Sequence, residues 1–379
     1  MTTQPSSLVA RVYAPDIGPC VARVENERLV DVTSTFPTTR DLFETANPAV
    51  AMRASKGSDL GAVSEILANT APDTRDKSKP WLLAPIDLQA IKAAGVTFAT
   101  SMLERVIEER ARGDADSAAA IRTLVRDLVG DDLRKLKPGS VEAAALKETL
   151  LKAGAWSQYL EVGIGPDAEI FTKGQPMSAV GTMMDVGVHP NSTWNNPEPE
   201  VVMVVSSKGK IVGATLGNDV NLRDVEGRSA LLLGKAKDNN AATAVGPFIR
   251  LFDETFTLDT VRKMDLSLKV EGLDGFVMEG HSSLSEISRD PADLVAQTIN
   301  AHHHYPDGLV LFLGTMFAPV KDRDTPGRGF THKTGDIVTI ATPELGKLVN
   351  RVVPTDKAEA WTFGASDLMR NLAKRGLLQ

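Results

Sequence analysis

Three carboxylates at strand-like spacing carry the first chemical signal in this chain. Glu198 and Glu200 stand two apart at the mouth of an apolar run, Val201 to Val205. A strand points residues i and i+2 to one face, so both carboxylates share it. Ser206-Ser207-Lys208-Gly209 reads as a hairpin turn and Lys210 to Leu216 as the returning strand. With a two- or four-residue loop, Asp219 lands across from position 196 or 198, on the glutamates' face; a three-residue loop turns it away. Three like charges on one face repel unless something positive sits among them. Oxygen-only ligands suit a hard divalent cation, Mg2+ by default, with Mn2+ as the substitute.

An isolated Glu-x-Glu pair is usually a solvated strand end, so the company of these residues decides its meaning. Arg223-Asp224, then Lys235 and Lys237, then Gly246-Pro247 follow in close order. A lysine beside a metal has its pKa lowered by the cation and by desolvation, as a base working near neutral pH requires. Lys237 fits that role, and Lys235, two residues earlier, competes for it. The triple His302-His303-His304 lies in a segment, Pro291 to His304, that reads as a helix. Consecutive helical residues point about a hundred degrees apart and cannot converge on one ion. His332 sits in a glycine-rich loop that could approach the site, while His189 and His281 carry no signal. Cys20 is remote, and neither Gly-x-Ser-x-Gly nor the dinucleotide pattern Gly-x-Gly-x-x-Gly occurs.

Taken together these residues resemble the fumarylacetoacetate hydrolase superfamily. That family has the Glu-x-Glu pair, a following Asn-Asp-x-x-x-Arg-Asp, a lysine about twenty residues on, and a Gly-Pro. Here these are Glu198/Glu200, Asn218-Asp219 with Arg223-Asp224, Lys237, and Gly246-Pro247. Leu313-Gly314-Thr315 matches its Gly-Thr turn, and Gly335-Asp336-Ile337-Val338 with Gly346 and Asn350 its closing strands. The likeness covers roughly residues 88 to 353. It implies a divalent metal held by Glu198, Glu200 and Asp219, in a mixed, β-rich domain.

In Gly95-Val96-Thr97-Phe98, Glu104 to Asp114, Asn195 to Glu200, Gly234 to Asn240 and Gly327 to Lys333 the chain resembles, over nearly its whole length, the family's 2-keto-3-deoxy-D-xylonate/2-keto-3-deoxy-D-arabinonate dehydratase branch. In that branch a glutamate at the spacing of Glu169 faces the substrate as an acid/base. The hydrolase and decarboxylase branches carry a helix histidine where this chain has Ser101, with a glutamate at the position of Glu104. The resemblance therefore implies a lyase: Mg2+-dependent dehydration of a 2-keto-3-deoxy-D-pentonate to 2,5-dioxopentanoate, in non-phosphorylative pentose oxidation. Lys237 would take the C3 proton and Glu169 serve the C4 hydroxyl, or the two would swap. Thr315 and the Gly314 backbone would hold the substrate carboxylate, with Arg223, Ser101 and Glu104 as further substrate contacts. Two other readings stay open: a C–C bond hydrolase of a 2,4-diketo acid using Glu104, and a non-catalytic sugar-acid binding module.

The elements that must position these groups read as an α+β chain: a fumarylacetoacetase-like mixed β-roll with a helical insert. A small N-terminal α/β domain is expected over residues 1–85 and the catalytic domain over 86–379, with the insert at about 99–155. Met102, Val106 and Ile107, then Ile121, Leu124, Val125 and Leu128, recur at helical spacing, and Ser140 reads as the cap of a helix from Val141 to Ala153. That insert could act as a lid. Gln158 to Gly163, Glu169 to Lys173, Leu231 to Lys235 and Leu309 to Leu313 belong to the β region. At 379 residues, 42% hydrophobic and 24% charged, the chain is an ordinary globular protein. A net charge of −7 without a basic stripe argues against nucleic acid. A single cysteine, no basic leader and no long apolar run fit a cytoplasmic protein without membrane contact, expected as a homodimer or homotetramer.

Overall fold

Val201 to Val205 are buried on both faces, which places their strand at the centre of the fold. Val201, Met203 and Val205 enter one apolar core while Val202 and Val204 enter another. The computed structural model describes residues 7–98, 102, 105–106, 136–152, 154, 156–317, 319, 321–324 and 329–378. Among these, a large sheet runs in the order Ser58–Ala62, Arg28–Asp31, Gly18–Glu25, Leu8–Ala14, Thr243–Leu251, Ile211–Asp219, Pro199–Val205, Leu309–Phe312, Ala90–Gly95, Glu169–Gly174. Trp81–Leu83 pairs on the side with Leu8–Ala14. A second sheet runs Val277–Ser283, Asp265–Glu271, Ile337–Thr342, Gly346–Pro354, Asp185–Val188. Val201, Met203 and Leu216 of the first sheet meet Leu268, Val270, Ile340 and Leu348 of the second in one core. Each such buried side chain contributes roughly 1.5–3 kcal/mol relative to exposure. The result is the β-rich α+β architecture expected.

The N-terminal strands extend the large sheet itself: Leu8 pairs with Arg250 and Val9 with Ile249. The expected N-terminal and catalytic regions are thus hydrogen-bonded to each other. No helix among the described residues is long and apolar enough to cross a membrane. Most of the helical insert, including Ser101 and Glu104, lies outside the described residues. Its described part includes the helix Val141–Lys152, where the Ser140 hydroxyl accepts from Ala143 N–H as a cap. Met102, Val106, Ala143 and Leu150 pack there against Tyr159, Leu160 and Ile164.

Three elements differ from the sequence reading. Gln158–Ile164 is a helix, capped by Ser157. Leu231 to Lys235 is not a strand: Ala230–Leu232 forms a 3-10 turn capped by Ser229, and Leu233–Lys237 is a short helix. Both are short apolar runs, where periodicity does not separate strand from helix and a serine cap decides. The helix at Pro291 stops at Thr298, so His302, His303 and His304 sit in an exposed turn rather than on a helix.

Candidate metal and active site

The site is set by hairpin register. The loop Ser207–Gly209 has three residues: Ser206 N–H bonds to the Lys210 carbonyl, and Gly209, at φ +74, donates to the Ser206 carbonyl. Alone, that loop would turn Asp219 away from the glutamates. A bulge restores it: Val205 pairs with Ile211 but Val204 with Gly213, leaving Val212 unpaired. From there the ladder runs true to Pro199↔Asn218, and Asp219 N–H bonds to the Glu198 carbonyl at 3.0 Å. The same register continues to Asn196↔Asn221. One carboxylate oxygen from each of Glu198, Glu200 and Asp219 lies within 4.8 Å of the others, and all three side chains are buried.

The triad is held by named partners. Lys237 Nζ donates to Glu198 Oε2 at 2.6 Å and to Asp219 Oδ2 at 2.9 Å. Lys235 is exposed, so the geometry brings Lys237 and not Lys235 to the carboxylates. Lys173, fully buried, reaches Asp219 Oδ1 at 3.1 Å and also the Lys237 carbonyl. Lys173 stands at a bulge in its strand (Lys92 pairs with Thr172 but Ile91 with Gly174), a device that re-aims a side chain. Gly314 N–H donates to Glu200 Oε2 at 2.6 Å. A side chain at Gly314 is excluded: φ is +85, and a Cβ would lie 2.1 Å from Thr97 Oγ1. The Gly314 amide, expected to face a substrate carboxylate, here orients Glu200.

Burial and mutual repulsion push Glu200 well above the usual carboxylate range, and burial raises Glu198. Burial also opposes ionisation of Asp219, but Lys173 and Lys237 outweigh it and hold its carboxyl down. Burial disfavours the Lys237 ammonium, yet Asp219, Glu198 and Glu226 together hold it above its ordinary value. The lowered lysine pKa expected from sequence is thus not a property of the protein groups alone. A proton crowded onto Glu200 marks a place where added positive charge would be stabilising, and an all-carboxylate donor set fits Mg2+ or Mn2+.

A cleft opens beside the triad, walled by Gly95, Arg105, Glu169, Phe171, Asn196, Arg223, Glu226, Thr315 and Phe317. Glu169 pairs with Gly95 across the strands and lies over it, its Oε2 where a Cβ would be 2.0 Å away. Burial, then the Glu226 charge, raise Glu169 to about 7 against the pull of Arg105 and Lys237. Arg223 stacks on Trp194 at 4.1 Å and reaches the cleft wall, while Asp224 turns away to bond Ser192 and Thr193. His332 is kept out: it is buried against Asp336 and Phe330 and does not line the cleft. Three groups escaped sequence reasoning. Glu226 lies three residues after Arg223 on one helical turn, so the two share a face. Arg105 bridges Glu198 at 3.0 Å and Glu226 at 2.9 Å. Lys173 lies at the end of the Glu169–Phe171 face, and only the bulge reveals where it points.

The chain is similar to several known proteins. The family described as fumarylacetoacetate (FAA) hydrolase C-terminal matches residues 147–353, more than half of the chain. The 2-dehydro-3-deoxy-D-arabinonate dehydratase of Saccharolobus solfataricus is 32% identical over 48% of this chain and 58% of that protein. A protein of Haloferax volcanii named a probable 2-keto-3-deoxyxylonate dehydratase is 29% identical over 51% of this chain and 63% of that protein. The chain thus matches about three fifths of the length of these curated relatives. Among solved structures, 2-keto-3-deoxy-D-arabinonate dehydratase complexed with magnesium and 2,5-dioxopentanoate has a TM-score of 0.63 at 21% identity, covering 92% of this chain and 99% of that one. The 2-hydroxyhepta-2,4-diene-1,7-dioate isomerase from Mycobacterium marinum has a TM-score of 0.53 at 18% identity, covering 93% and 100%. With the family pattern matched over more than half its length, the chain belongs to the fumarylacetoacetate hydrolase family.

Proposed function

We propose that the protein dehydrates 2-keto-3-deoxy-D-pentonates to 2,5-dioxopentanoate with Mg2+ as its cofactor. One observation carries this reading: a buried carboxylate triad, a buried lysine and a carboxyl titrating near 7 face a single cleft. The curated relatives named as dehydratases of such acids, and the magnesium and 2,5-dioxopentanoate in the similar structure, support it.

Glu198, Glu200 and Asp219 would hold the cation, which when bound compensates the triad's charge and polarises a neighbouring 2-oxo group. Compensating the triad's charge would remove the hold of Asp219 and Glu198 on the Lys237 ammonium, leaving burial against Glu226 alone. Lys237 then takes the C3 proton. Glu169, about half protonated near neutrality, gives its proton to the C4 hydroxyl, which leaves as water. The 3,4-unsaturated product loses a C5 proton and gains one at C3; the resulting enol then gives up its hydroxyl proton and is protonated at C4 to become the aldehyde, with Glu169 as the shuttle. Arg223 and Thr315 bind the substrate from the cleft wall. The same reading places the enzyme in the cytoplasm as a homodimer or homotetramer; the free, buried Cys20 fits a reducing compartment.

A coupled assay tests this. Supplied with a 2-keto-3-deoxy-D-pentonate and a semialdehyde dehydrogenase, the Mg2+-loaded protein should generate NAD(P)H, and EDTA should stop it. No signal there alongside cleavage of a 2,4-diketo acid would replace the lyase by a hydrolase. Binding of 2-oxo acids with no turnover of any would leave a binding module.

A further inference from the structure

We propose that Glu226 restricts the cleft to 2-oxo acids carrying a single carboxylate. Glu226 is only 7% exposed, yet it forms part of the cleft wall. Its Oε2 takes both Arg105 Nη1 at 2.9 Å and Asn221 Nδ2 at 2.7 Å. The same two side chains reach across to Glu198 Oε1, at 3.0 Å and 3.2 Å. Glu226 therefore stands one guanidinium away from the triad, and its Oε1 is left for a hydroxyl on a bound ligand.

The charge pattern gives this position its consequence. Five carboxylates wall the cleft: Glu169, Glu198, Glu200, Asp219 and Glu226. Of the three cations on the wall, Arg105 and Lys237 each already face two of these carboxylates, and Arg223 is stacked on Trp194. One substrate carboxylate would be accommodated beside a cation held by Glu198, Glu200 and Asp219. A second, on the tail of a dicarboxylic acid, would meet Glu226 in a site with little water to screen it, and two carboxylates so placed repel strongly. A hydroxyl tail instead can donate to Glu226. The fold itself does not forbid diacids, since one of the similar structures is an isomerase named for a dioate.

The inference takes from the proposed function only that a 2-oxo acid binds beside the cation. Its test therefore uses two ligands without a C4 hydroxyl, which dehydration cannot consume. Binding of 2-oxopentanoate and 2-oxoglutarate, equal in carbon number, is measured by calorimetry on the Mg2+-loaded full chain. The wild type should favour 2-oxopentanoate about tenfold or more, the scale expected of a poorly screened carboxylate pair. Glu226→Gln should shrink that ratio severalfold, chiefly by tightening 2-oxoglutarate, and Glu226→Asp should retain it. Equal affinities in the wild type would overturn the proposal without recourse to any variant. So would an unchanged ratio in a Glu226→Gln protein that melts like the wild type. A failed dehydration assay would remove the proposed function and leave this ratio standing.

Discussion

Glu169→Gln should make the protein inactive and, above neutral pH, more stable. The side chain lies over Gly95 in the cleft wall, and its carboxyl is raised to about 7 by burial and by the Glu226 charge. In the unfolded chain the same group titrates near 4.5. Between those values the folded state holds the proton and the unfolded state has lost it, so stability falls as pH rises through the window. The separation is about 2.5 pH units, worth about 1.4 kcal/mol each, so ionised Glu169 costs the fold about 3 kcal/mol at pH 8. Glutamine resembles the protonated form and avoids that cost. Urea unfolding of the metal-free protein in EDTA should therefore show Glu169→Gln more stable at pH 8, by an amount approaching 3 kcal/mol. The two proteins should be alike at pH 4, where both folded and unfolded carboxyls are largely protonated. Turnover should drop by about 10²–10⁴, the usual worth of a positioned proton donor. Wild-type kcat should itself fall on the alkaline side as the donor ionises. A variant that keeps its activity, or that gains no stability at pH 8, would refute the assignment.

The lysine assignment predicts that Lys237→Ala loses activity while exposed Lys235→Ala behaves as wild type; the reverse pattern would move the role to Lys235. Proton exchange at C3 of pyruvate in deuterated water, followed by NMR, should vanish in the Lys237 variant. Gly95→Ala should cost activity with little change in melting temperature, because its Cβ meets the flexible end of Glu169 rather than backbone. Glu200→Gln should weaken Mg2+ binding by a large factor, read by calorimetry, since it removes one of three carboxylate donors.

The hairpin was legible because its strands are uniformly apolar and the acids sit at fixed offsets from them. The family pattern supplied the same triad. What sequence could not show was how the triad comes together. A three-residue loop followed by a bulge at Val212 restores the register that the simple counting rule would have denied. Bulges leave no composition signal, and a second one hid the aim of Lys173. The run Leu231 to Lys235 reads as a strand, but the chain forms a helix at Leu233–Lys237 that delivers Lys237 inward while Lys235 faces solvent. Arg105 gives no local signal, because Glu198 and Glu226, the partners that define its place, are remote in the chain. Glu226 was within reach of sequence reasoning through its three-residue spacing from Arg223. Gly314 was found by its motif, but only the structure shows its amide bonded to Glu200.

Mass analysis of a single turnover mixture tests the central claim most directly. The Mg2+-loaded protein is mixed with a 2-keto-3-deoxy-D-pentonate in deuterated water. The account predicts one five-carbon product lighter by one water, identified as 2,5-dioxopentanoate and carrying deuterium on its former C3. Two carbon fragments, or an unchanged acid beside a cleaved 2,4-diketo acid in a parallel reaction, would contradict it.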